Sequence, residues 1–141
     1  MPLTCHAGEW GGPDMVADTL RDLRPSRIGH GVNAIHDLAL VDQLAEDGIV
    51  LEVCPGSNVF LNAVPSWKDH PIERLRERGV KVTVSTDDPP YFRTTMSDEY
   101  EMLNRTFGWD AEVFAEVNLT AIEAAFCDDA NKDEIKARLS T

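Results

Sequence analysis

The chain has 141 residues, 43% of them hydrophobic and 27% charged, with a formal net charge of −12. That length allows one ordinary domain with a core, and the acidic balance disfavours nucleic acid and anionic membrane surfaces, both of which require clustered Lys and Arg. No stretch approaches the roughly 20 apolar residues of a membrane span, and the N-terminus lacks the basic-then-apolar order of a signal peptide, so a cytoplasmic location is the expectation.

A short apolar run, Pro2 to Cys5, leads into His6-Ala7-Gly8-Glu9. Pro13-Asp14 opens a helix whose apolar face carries Met15, Val16, Leu20 and Leu23. Arg27-Ile28-Gly29 leads to His30-Gly31. Asn33 is expected to cap the next helix, with Ile35, Leu38, Val41 and Leu44 inward and Gly48 closing it. The mostly apolar run Ile49 to Val53 reads as a strand of a parallel sheet and ends in Cys54-Pro55-Gly56-Ser57-Asn58. A helix follows with Asp69 near its cap, Ile72 and Leu75 buried, and Gly79 at its end. Val80 to Val84 is β-branched, reads as a fourth strand and ends at Ser85-Thr86-Asp87-Asp88-Pro89-Pro90. Beyond it the chain reads as helical, with Ser97 and Asp110 as caps, an apolar stripe through Val113, Phe114 and Val117, and a last short helix around Ile135 and Leu139. The cysteines Cys5, Cys54 and Cys127 are odd in number and widely spaced, which argues against a disulfide framework; they are expected to be reduced and mostly buried.

The reactive residue types follow the ends of the predicted strands. His6 and Glu9 follow the first, His30 the second, Asp87 and Asp88 the fourth. In α/β barrels and open parallel sheets, ligand sites are built at that edge. Four βα units make half of an eight-stranded barrel; a small open sheet is the alternative, with two edges to cover. A neutral imidazole suits zinc and a nearby carboxyl group can pass protons. The glycines flanking His30 let backbone approach a ligand. Adjacent carboxylates at the end of an apolar strand require a cation or hydrogen-bond donors to compensate them. Taken singly, each motif also has a plain structural explanation: a loop His, a surface Glu, an acidic turn before Pro89-Pro90. Trp10, Trp67 and Phe92 read as packing residues, with pocket lining as the alternative.

In order and placement, His-Ala-Gly-Glu, Arg-Ile-Gly-His-Gly, Cys-Pro-x-Ser-Asn and Ser-Thr-Asp-Asp-Pro resemble the second half of the adenosine deaminase family, from about Leu3 to about Tyr100. The resemblance implies strands five to eight of a (β/α)8 TIM barrel followed by terminal helices: one partial domain over 1–141, with βα units over 1–96 and a helical segment over 97–141. It implies His6 and Asp87 as ligands of one Zn2+, Glu9 and His30 as catalytic groups, and Asp88 as a hydrogen-bond partner of the purine near N7. The implied reaction is zinc-assisted attack of water on C6, with Glu9 passing a proton to N1, His30 orienting the water, and ammonia leaving, so that adenosine becomes inosine. Adenine or another aminopurine is the alternative substrate. The Cys-ligated deaminase signature is absent.

The resemblance also implies a His-x-His pair on a first strand, which supplies two more zinc ligands. No His-x-His occurs here. The other histidines, His36 and His70, are read as non-ligands. The chain alone is therefore expected to be inactive, with a complementary N-terminal half or self-association as its partner. Met1 directly before the fifth-strand position points to a truncated reading frame, a split gene or a partial sequence. The competing expectation is a non-catalytic half barrel that acts only through association.

Overall fold

A computed structural model describes residues 2–139. Its four strands, β1 (Thr4–Ala7), β2 (Arg27–His30), β3 (Val50–Val53) and β4 (Lys81–Val84), form one parallel sheet in sequence order. Helices α1 (Pro13–Leu23), α2 (Leu38–Glu46), α3 (Pro55–Phe60) and α4 (Ile72–Glu77) fall between them. A one-turn α5 (Pro89–Phe92) follows β4, and then come α6 (Met96–Phe107), α7 (Ala111–Ala124) and α8 (Asp129–Leu139). This is the α/β arrangement of half a (β/α)8 barrel. No described helix is long and apolar enough to cross a membrane.

The register explains why these short runs pair. Cys5 aligns with Ile28, Ile28 with Leu51, and Leu51 with Val82. Because side chains alternate along a strand, that row and the row of Ala7, Val53 and Val84 share the face that the helices cover. There Ile28, Leu51 and Val53 are fully buried, with Val16, Val41, Leu44, Ile72 and Leu75 packed in the same cluster. The opposite face carries Thr4, His6, Arg27, Glu52, Lys81 and Thr83. Arg27 Nε sits 3.2 Å from Glu52 Oε1, an ion pair at a poor hydrogen-bonding angle, and its guanidinium lies 3.6 Å from the Phe126 ring centre. Polar residues on this face fit a barrel interior and leave it open to the missing side. β1 and β4 have no strand on their outer sides among the described residues.

Several local expectations are corrected. Asn33 does not cap α2. Residues Val32–His36 form a 3-10 turn first, and Asp37 caps α2 by accepting from the Ala39 and Leu40 amides. Asn33 instead donates to the Glu9 carbonyl at 3.0 Å. A short helix that was not foreseen, α3, starts at Pro55, where the missing N–H costs nothing. The cap of α6 is Thr95, in a reciprocal capping box with Asp98, and not Ser97. Asp110 does cap α7. All three cysteines are free, but only Cys54 is buried; Cys127 is exposed. Met15 and Leu23 on the apolar side of α1 are half exposed, as are Ile135 and Leu139 on α8.

Leu51, at the centre of the sheet, and Asp37, at the α2 cap, should separate core from cap energetics. Leu51→Ala is expected to cost about 2–5 kcal/mol and Asp37→Ala about 1 kcal/mol, read as shifts of the urea unfolding midpoint.

Candidate active site

The carboxyl ends of the strands bring the predicted polar residues together. β1 pairs His6 with Gly29 and Ala7 with His30. Gly29 makes room for the His6 ring: a Cβ there would stand 3.1 Å from His6 Cγ and Nδ1. The His6 and His30 rings pack with centres 5.3 Å apart. His30 and Asp87 both have φ +61, a left-handed conformation that non-glycine residues seldom adopt and that turns the chain at the strand end. Gly31 continues the turn at φ +69, and a Cβ on it would meet Leu51 Cδ2 at 2.6 Å.

His30 is the hub. Its Nε2 lies 3.6 Å from Glu9 Oε2 and 3.8 Å from Asp87 Oδ2. Burial holds its pKa below the ordinary histidine range, and outweighs the opposite pull of the Glu9 and Asp87 carboxylates. The ring is therefore neutral near pH 7, and these approaches are polar contacts of an uncharged imidazole. Asp87 accepts a hydrogen bond from the buried Ser57 hydroxyl at 2.7 Å. Glu9 Oε1 is buried with no hydrogen-bond partner among the described residues. An orphaned carboxylate oxygen at a strand-end cleft points to a ligand that would satisfy it. Asp88 is exposed and heads α5 through its backbone carbonyl, with its side chain free of that capping role. His6 is also exposed, on the open side of the sheet.

Glu9 and Asp87 thus both approach the Nε2 edge of His30, whose ring packs on that of His6, and Asp88 follows Asp87 in the chain. These nitrogen and oxygen donors fit zinc. Ligand atoms of His30, Cys54 and Asp87 also lie within 4.8 Å of one another. Cys54 is a poor donor there. Burial, helped by the Asp87 and Glu99 carboxylates, pushes its pKa up to about 12, and its thiol points to the Glu52 carbonyl at 3.7 Å.

Residues without a role in the sequence reading build the wall behind the site. Glu99, fully buried, accepts from the Gly56 amide at 2.8 Å and the Thr94 hydroxyl at 2.7 Å, which anchors the first turn of α3. Burial raises its pKa against those two bonds. Asn58 and His70, also buried, connect to His30: Asn58 Nδ2 is 3.1 Å from His30 Nδ1, and His70 Nε2 is 3.3 Å from Asn58 Oδ1. Ser57 and Asn58 were visible as part of the Cys-Pro-x-Ser-Asn motif, but His70 carried no local signal. His36 is exposed and joins none of this.

The family model described as "Adenosine deaminase" matches residues 1–141. A curated adenine deaminase of Rhizobium johnstonii is 54% identical over 138 residues, covering 97% of this chain and 42% of the relative. Among solved structures, the adenine deaminase from Arthrobacter aurescens superposes with a TM-score of 0.94 at 31% identity, over 99% of this chain and 43% of that one. An amidohydrolase from Burkhoderia ambifaria with bound Zn does so with a TM-score of 0.88 at 26% identity, over 99% and 40%. The chain spans about two fifths of the length of each of these proteins.

The buried His70 gives a pH test. Burial pushes its pKa from 6.5 down to about 3. As pH falls below 6.5, the unfolded chain binds a proton on this ring and the folded chain does not. Stability is therefore full above pH 6.5 and is lost towards pH 3, by about 1.4 kcal/mol per unit from this group. His70→Gln should remove one proton's worth of slope from the urea midpoint between pH 6.5 and 4; an unchanged slope would contradict the assignment.

Proposed function

Because the chain belongs to the adenosine deaminase family, we propose that it forms the C-terminal half of a 6-aminopurine deaminase site whose substrate is adenine. The observation that carries this reading is the convergence of Glu9 and Asp87 on the neutral His30, with Glu9 Oε1 left unpaired. Adenine rather than adenosine is favoured by the adenine deaminase names of the relatives at about half identity.

In this reading His6 and Asp87 hold zinc, which when bound supplies the acidity that makes water a nucleophile at neutral pH. Asp88 holds the purine near N7 and so presents C6. Glu9 delivers a proton to N1, which draws electrons from C6 and opens it to attack. His30 donates to the attacking oxygen and keeps it on line, while Ser57 fixes the Asp87 carboxylate. Of the two water protons, one restores Glu9 after its transfer to N1 and the other passes by way of these carboxylates to the amino group. The C–N bond breaks, and adenine plus water become hypoxanthine plus ammonia.

A catalytic zinc takes at least three protein ligands, and this reading finds two in the chain. We assign the others to an N-terminal half, joined to this chain or bound to it, that closes the open edges of β1 and β4. The half-exposed Met15 and Leu23 of α1 are suited to packing against that half. The chain alone is then inactive.

Mixing the chain with an N-terminal half that carries the missing ligands, plus zinc, should convert adenine to hypoxanthine and release ammonia. Glu9→Gln should lower kcat by about 10²–10⁴-fold. An assembled, zinc-loaded protein that leaves adenine untouched would refute the reading.

A further inference from the structure

We propose that His70 and Asn58 form a hydrogen-bond ladder that fixes which nitrogen of His30 carries its proton, and that both are positioning residues of the site. The ladder begins at a group with only one possible role. The backbone N–H of Ile72 can only donate, and it lies 3.2 Å from Nδ1 of His70. That nitrogen must accept. His70 is 2% exposed, and burial keeps its ring neutral, so its one proton sits on Nε2. This N–H donates to Oδ1 of Asn58 at 3.3 Å.

The orientation of the Asn58 amide follows. Flipped, it would set an NH2 donor against the His70 N–H donor. Its Nδ2 therefore faces Nδ1 of His30 at 3.1 Å and donates to it. An imidazolium at His30 would again set two donors against each other, so Nδ1 carries the lone pair and the proton stands on Nε2. That Nε2–H is the edge turned towards Glu9 and Asp87. One backbone amide, relayed through two buried side chains, thus presents His30 to the site as a hydrogen-bond donor. The opposite tautomer would present a lone pair, which can accept from a water but cannot donate to its attacking oxygen.

All three rings and amides are shielded. Asn58 is fully buried, and His30 is 2% exposed. Water has little access to repair a broken rung. Asn58 on α3 and His70 before α4 both lie in the connection between β3 and β4, so the ladder ties that connection to His30 at the end of β2 behind the site.

The kinetic part of this inference rests on the deaminase reading; the tautomer does not. The experiment uses this chain completed by its N-terminal half and loaded with zinc, with 15N-labelled histidines. Two-bond proton–nitrogen correlation spectra should show the Nε2–H form for both His30 and His70. Asn58→Asp keeps the shape but replaces the donor by an acceptor. It should move the His30 proton to Nδ1 and lower kcat by about 100-fold, with the adenine KM within about threefold of the unmutated protein. His70→Leu should act in the same direction, and His70→Gln, whose amide N–H can replace the ring N–H, should restore most of the activity. A His30 proton on Nδ1 in the unmutated protein, or an Asn58→Asp protein with unchanged kcat and tautomer, would overturn the ladder. Absence of deaminase activity in the unmutated assembly would sink the functional reading instead, and the spectrum would still decide the ladder.

Discussion

The parallel pairing of β1 with β2 sets His6 beside Gly29 and Ala7 beside His30, and the placement of every other group in the cleft depends on it. Strand residues alternate faces, so a slip of one residue would send His6 into the helix-covered core and bring Cys5 to the open side. The apolar row of Ile28, Leu51 and Val82 prevents that slip, because shifting it would expose three buried side chains. The core therefore fixes the register, and the register fixes where the reactive groups stand.

Holding them there carries a local cost. His30 and Asp87 both turn through left-handed backbone, which costs on the order of 1–3 kcal/mol at each position. Buried polar side chains behind the cleft offset it by fixing the loops. Glu99 ties down Gly56, Ser57 ties down Asp87, and Asn58 ties down His30. Gly56 must be glycine for this arrangement, since a Cβ would fall 2.2 Å from Glu99 Oε1. The polar sheet face, with Thr4, Arg27 and Glu52, fits the interior of a barrel of which these strands form half.

Much of this was legible in the sequence for identifiable reasons. The strands were short, partly apolar runs, and the motif residues fell at or just beyond their ends. Pro13 marked the start of α1 by its fixed φ, whereas Pro55 and Pro89 open α3 and α5 in the same way without having been read as helix starts. Most of what was missed depended on contacts between distant segments. Asn33 lost the α2 cap because the tight turn after Gly31, packed on Leu51, adds a 3-10 segment first and leaves Asn33 facing Glu9. Thr95 displaced Ser97 because the reciprocal bond with Asp98 outweighs a single cap. His70 was read only as a non-ligand; its link to Asn58, 12 residues away in sequence, exists only after α3 and α4 have packed. Adenosine was the expectation for the substrate, and no residue of the cleft distinguishes it from adenine; the proposal of adenine comes from the relatives.

The central claim is that imidazole and carboxylate groups, and not the nearby thiol of Cys54, surround a single metal ion at the strand ends. Zinc-edge X-ray absorption on the chain assembled with the proposed N-terminal half measures this directly. The account requires a first shell of nitrogen and oxygen alone, at about 2.0–2.2 Å. A sulfur scatterer at about 2.3 Å would place Cys54 on the metal and contradict it.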